Sequence, residues 1–148
     1  MSETVPTPLT QQRVAAAMRT AGLIPFLGDA DQVAAILNSR VVRVVLPEGH
    51  PVQGVAEWPR ALDIRHATLA SDVVRRFNAT TYTPKVTTAV TDEGSIRFRL
   101  QHTFAWASGA TDQQVNGEVV QFIMATLAAM NRLDEEFPDH WAKEDDDE

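Results

Sequence analysis

From Thr111 to Phe137 apolar side chains recur at steps of three and four, through Val115, Val119, Phe122, Thr126, Met130, Leu133 and Phe137. Val120, Ile123 and Leu127 widen this stripe beyond a coiled-coil seam, so the predicted helix needs a broad apolar partner. Thr111 followed three residues later by Gln114 fits a capping box, in which each side chain satisfies a backbone donor with no intrahelical partner. Such a helix reaches on the order of 35 Å, enough to cross several strands of one sheet. A different period precedes it. Ile96, Phe98, Leu100, His102, Phe104 and Trp106 alternate with Arg97, Arg99, Gln101, Thr103, Ala105 and Ala107, which predicts a strand from Ser95 to Trp106 with one core face and one wet face. The turn Asp92-Glu93-Gly94 joins it to Lys85–Thr91 as an antiparallel hairpin.

The remaining elements follow from weaker patterns. Thr10 caps a helix running to Ala21, with Val14, Ala17 and Met18 on one face and Gly22 placed for a left-handed C-terminal residue. Leu23 to Leu27 reads as an apolar link broken by Pro25, and Gly28 to Asp31 as a turn. Gln32 to Leu37 has helix-prone residues but reads as a strand, turned by Asn38-Ser39 into Arg40–Leu46, where Val41, Val42, Val44 and Val45 dominate. Val52 to Trp58 returns as a third strand, with Pro59 expected to end it. Thr68 to Phe77 reads as a helix stopped by Asn78, Thr80, Thr81 and Pro84. The expected fold class is therefore α+β: a five-stranded antiparallel sheet in the order α-βββ-α-ββ-α, with helices gathered mainly on one face.

Composition narrows the function classes. The chain of 148 residues is long enough for one domain with its own core, assigned to residues 10–138 after a loose lead-in over 1–9. The absence of cysteine excludes disulfides, thiolate catalysis and cysteine zinc sites. The net charge of −7 is unevenly placed: residues 134–148 hold nine acids against Lys143, leaving the rest nearly neutral. Residues 139–148 read as an acidic, disordered tail. Nothing has the clustered basic excess that nucleic-acid binding requires, and the long helix, interrupted by Glu118, Gln121, Asn131 and Arg132, is no membrane span. The reading is a soluble, cytoplasmic protein.

Phe77-Asn78, Thr83-Pro84-Lys85, Asp92-Glu93-Gly94, Gly109-Ala110-Thr111-Asp112-Gln113-Gln114 and Asp134-Glu135-Glu136-Phe137-Pro138 stand in an order and spacing that resembles the YbjN family, especially its actinobacterial members. The resemblance spans roughly residues 9 to 138; Phe77 stands where that family usually has Trp. It implies a fold similar to type III secretion chaperones, a provisional role as a bacterial sensory transduction regulator, and no established enzyme activity. A chaperone-like fold does not by itself imply chaperone function.

Candidate chemistry is sparse. His50, His66, His102 and His140 are dispersed without metal-ligand spacing, and Asp29-x-Asp31 lacks the continuation of a calcium loop. Ser108-Gly109 lacks the context of a nucleophile elbow. No catalytic residue, cofactor or metal is expected. Lys85, Arg97, Arg99 and Gln101, with Arg43 added from the neighbouring hairpin if its phase agrees, form a candidate partner-binding face on the outer side of the sheet. That face suits a protein or peptide partner presenting an acidic or extended segment, the acidic tail of another copy included, and a homodimer would form through a sheet edge or a helix. The alternative is an apolar ligand held between the long helix and the sheet near His102 and Trp106. Trp58 and Trp106 lie near predicted strand ends, and Trp141 follows the last helix among charges.

Overall fold

The structure is a computed structural model and describes residues 5–29 and 31–138. Met1 to Thr4 and the expected tail, with His140 and Trp141, lie outside the described residues. Helix α1 (Gln11–Thr20) is capped by Thr10, whose side chain accepts from the Arg13 amide, and Gly22 beyond it has φ +86°. Strands β1 (Phe26–Leu27), β2 (Gln32–Leu37), β3 (Arg40–Val45) and β4 (Gln53–Asp63) follow. A short 3₁₀ turn (Ile64–His66) leads into α2 (Ala67–Thr80), then β5 (Lys85–Val90), β6 (Ser95–Thr103) and α3 (Asp112–Glu136). The six strands form one antiparallel sheet in the order β1-β2-β3-β4-β6-β5.

Four expectations are corrected. The sheet has six strands, not five, because Phe26 and Leu27 pair with Ala34 and Val33. Two residues behind Pro25 are too few to show a period-two pattern. Pro59 does not end its strand: β4 continues to Asp63, putting Trp58 in its middle, and the ladder with β6 slips between Glu57 and Ala61, where a residue without an N–H loses no ladder bond. Helix α2 runs past Asn78 and ends at the two threonines, with Thr81 as its C-cap. The Asn78 side chain donates to the Val86 carbonyl and accepts from the Val86 amide, at 2.8 and 2.9 Å, fastening the helix to the edge strand. The last strand ends at Thr103 rather than Trp106, although its inside–outside alternation persists through buried Phe104 and Trp106.

The long helix is as its pattern predicts. Both bonds of the capping box are present: the Thr111 hydroxyl accepts from the Gln114 amide and the Thr111 amide donates to Gln114 Oε1. Val115, Val119, Phe122, Ile123, Met130 and Leu133 are buried in one core with Val42, Val44, Ala56, Trp58, Leu62, Ile96, Phe98 and Leu100 from the sheet. Helix α3 comes so close over β4 that a Cβ on Gly54 would lie 2.4 Å from the Phe122 ring. The core closes on an aromatic trio, with ring centroids 5.2 Å apart for Trp58–Phe98, 5.4 Å for Phe98–Phe137 and 5.9 Å for Trp58–Phe137.

The start of α3 is tied to the chain's beginning. Thr7 and Ala110 exchange two backbone hydrogen bonds, and the Arg13 guanidinium reaches the Thr7, Pro8 and Ala110 carbonyls and the Asp112 carboxylate. Thr7 onward is thus anchored rather than loose. Gly109, at φ +88° and with its missing Cβ 2.7 Å from the Thr7 backbone, fits nothing larger. All three described helices contribute to the core on the inner face of the sheet, so among the described residues no helix lies over the opposite face.

Candidate functional site

Alternation along each strand decides what that uncovered face contains. Residues opposite one another in the ladders share a face, and one continuous row, Phe26, Ala34, Arg43, Val55, Gln101 and Lys85, crosses all six strands. Beside it lie Ile36 opposite Val41, then Glu57, Arg99 and Thr87, and then Ala61, Arg97 and Ala89. Arg43, Arg97, Arg99 and Gln101 therefore do share the outer face. Lys85 shares the row, but its ammonium curls away to the Asn78 and Thr81 carbonyls at the C-terminal end of α2.

The sequence reading missed the apolar half of this face. Phe26 is 50% exposed, Ile36 52% and Val41 44%, side by side on β1, β2 and β3. The available signal was phase: once Val33 and Ala35 are inside, Ile36 must be outside. Towards β6 the face turns cationic. Arg43 meets Glu57 only at 3.9 Å, and the guanidinium groups of Arg97 and Arg99 make no ion pair or hydrogen bond among the described residues. Where β3 and β4 part beyond the Val42–Ala56 pair, a notch of about 360 Å³ lies between them, lined by Arg40, Val41, Arg43, Glu57, Trp58, Pro59 and Arg97.

Behind the notch the end of α3 is held by a charged cluster. Asp134 accepts from Trp58 Nε1 at 2.9 Å and from Arg40 at 2.5 Å, with Arg60 at 3.5 Å. Arg60 also lies 4.7 Å over the Trp58 ring and donates to the Phe137 and Pro138 carbonyls.

His102 and Trp106 do not share a cavity. His102 faces a cleft of about 290 Å³ between α3, the end of β6 and the segment before β5, lined also by Tyr82, Thr83, Glu118, Gln121 and Phe122. Its ring lies edge-on to Phe104 and Tyr82 and stacks with Phe122. Burial pushes the imidazole pKa below its ordinary value, with Glu118 pulling the other way. The Thr83 hydroxyl is buried there with no partner among the described residues. Trp106 stacks on the far side of Phe104, 4.2 Å between centroids, and lines a separate cleft with Leu46, Pro47, His50 and Pro51. The cleft beside His102 is polar, which suits hydrogen-bonding ligands rather than the apolar one expected. Among the described residues no group of three His, Asp or Glu side chains could hold a metal, and no helix is long and apolar enough to cross a membrane.

The fold is that of YbjN. The crystal structure of YbjN from E. coli, a provisionally assigned transcription regulator, superposes with a TM-score of 0.74 over 94% of this chain and 99% of that one, at 12% identity. An uncharacterised protein from Methanothermobacter thermautotrophicus follows at a TM-score of 0.57, 11% identity, and 86% and 98% of the two chains. No family model matches the sequence, and no curated protein matches it either. At these identities the likeness is one of fold.

Proposed function

We propose that this YbjN-like chain is a non-enzymatic regulatory module that binds a protein or peptide partner across the outer face of its sheet. The observation that carries the reading is the outer face of the sheet, where exposed Phe26, Ile36 and Val41 lie beside Arg43, Arg97 and Arg99 around a buried Val55. Exposed Phe, Ile and Val in one patch exact a solvation cost that contact with a partner relieves, and adjacent arginines give that contact direction and charge selectivity. Three arginines beside an apolar patch, in a chain of net charge −7, suit an acidic or extended peptide better than a phosphate backbone. The likeness in fold to a provisional transcription regulator supports a regulatory role.

The test is comparative capture from a lysate of the source organism, with mass spectrometry of what is retained. A discrete partner should bind the unaltered chain and be lost both with Arg97→Glu/Arg99→Glu and with Ile36→Ser. Retention of the same proteins by all three forms overturns the reading.

A second reading rests on the cleft beside His102, where the orphaned Thr83 hydroxyl, Glu118 and Gln121 converge on one space. A small polar ligand bound there would make the module a sensor. Native mass spectrometry of the purified chain should show a bound small molecule that Glu118→Gln releases; a ligand-free mass in gently prepared material removes this reading.

A further inference from the structure

We propose that the partner face carries a built-in competitor: the acidic segment 139–148 of the same chain docks in cis across the notch and onto Arg97 and Arg99. The inference rests on the proposed partner face and names one occupant for it. Three observations converge on that occupant. The first is where the described chain ends: the Pro138 carbonyl is held by Arg60, one residue from Pro59, which lines the notch. The second is length, since the ten residues beyond Pro138 span up to about 35 Å when extended, ample to pass Pro59 and reach the β6 arginines two positions apart.

The third is charge and shape. Residues 139–148 hold six acids and one lysine, with the block Glu144 to Glu148 at the far end. The notch and the strand beside it offer Arg43, satisfied only at 3.9 Å, and Arg97 and Arg99, whose guanidinium groups have no partner among the described residues. Arg40 is already committed to Asp134 and serves as a wall. Attachment through Arg60 makes this contact intramolecular, so each weak ion pair acts at high effective concentration. A partner with an acidic segment then binds by displacing the tail, which sets a threshold for capture.

The chain has no cysteine, so Ala142→Cys gives one attachment point for a nitroxide on the full-length protein. Amide signals of residues 39–43, 57–59 and 97–99 should be broadened selectively. Raising salt to about 0.5 M, where the Debye length falls to about 4 Å, should restore them, as should Arg43→Glu/Arg97→Glu in a chain that keeps its amide dispersion. Equal broadening of isotope-enriched chains that carry no nitroxide, when they are mixed with unenriched spin-labelled chains, places the tail on a second copy and overturns docking in cis. Broadening that is absent, or spread evenly over the surface, overturns docking altogether. No partner is needed for this measurement, so it can fail while capture through Arg97 and Arg99 still stands.

Discussion

Phe98 and Arg99 are neighbours in β6 and belong to opposite environments. Phe98 is fully buried against Trp58 and Phe137, beneath helices that seal every inward position around it. Arg99 points the other way, opposite Glu57 and Thr87, onto a face that none of the described helices covers. The inner face was made to exclude water and is closed by this chain alone. The outer face mixes exposed Phe26, Ile36 and Val41 with arginines, and the chain's described residues leave it open. Stability is thus concentrated on one side of a sheet whose thickness is a single backbone, and the other side is free to vary for recognition.

That contrast breaks most sharply at the pair itself. Phe98→Ala should cost about 3–5 kcal/mol of unfolding free energy, through lost burial and a cavity. Arg99→Ala should stay within about 0.5 kcal/mol, both read by urea denaturation. Equal losses would mean the outer face is structural. Gly54→Ala probes the inner contact at its tightest: the new methyl meets the Phe122 ring at 2.4 Å, and a loss of about 1–3 kcal/mol is expected, relieved by adding Phe122→Leu.

A pH titration tests the inner margin at His102. Its imidazole pKa is lowered in the fold from 6.5, first by burial and against the pull of Glu118, so the unfolded chain takes up that proton first as pH falls. Stability should be full above pH 6.5 and decline as pH drops from there to the lower folded value; the difference between wild type and His102→Gln isolates the effect, and a flat difference curve refutes it. The smallest change belongs to the β2–β3 turn beside the outer patch. Asn38 and Ser39 both hold positive φ, 52° and 67°, as a tight hairpin requires, and Ser39→Gly should raise the melting temperature by relieving up to about 1 kcal/mol of strain without altering capture.

Much of this was legible in residue order. The capped α3, the α1 cap at Thr10, the turn at Asn38-Ser39 and the β5–β6 hairpin are local signals, each set by a few neighbouring residues, and they stand where the patterns place them. The outward phase of Arg97, Arg99 and Gln101 is equally local, because a strand's alternation needs only its own sequence. Arg43 joined them only through the β3–β4 register. What escaped were contacts between distant segments: the two-residue β1 that exists only by pairing with β2, the passage of β4 through Pro59, Asn78 gripping Val86, and the curl of Lys85 onto the end of α2.

The functional surface divides in the same way. Periodicity alone determined that a greasy strand face and a greasy helix must meet, since no other arrangement removes Ile96, Phe98 and Leu100 from water. Only the assembled sheet decided that Phe26, Ile36 and Val41 adjoin the arginines, that a notch opens at Pro59 where β3 and β4 part, and that Arg60 holds the end of α3 beside it. Side-chain phase is a property of consecutive residues, whereas adjacency across strands depends on registers that no single stretch of chain encodes.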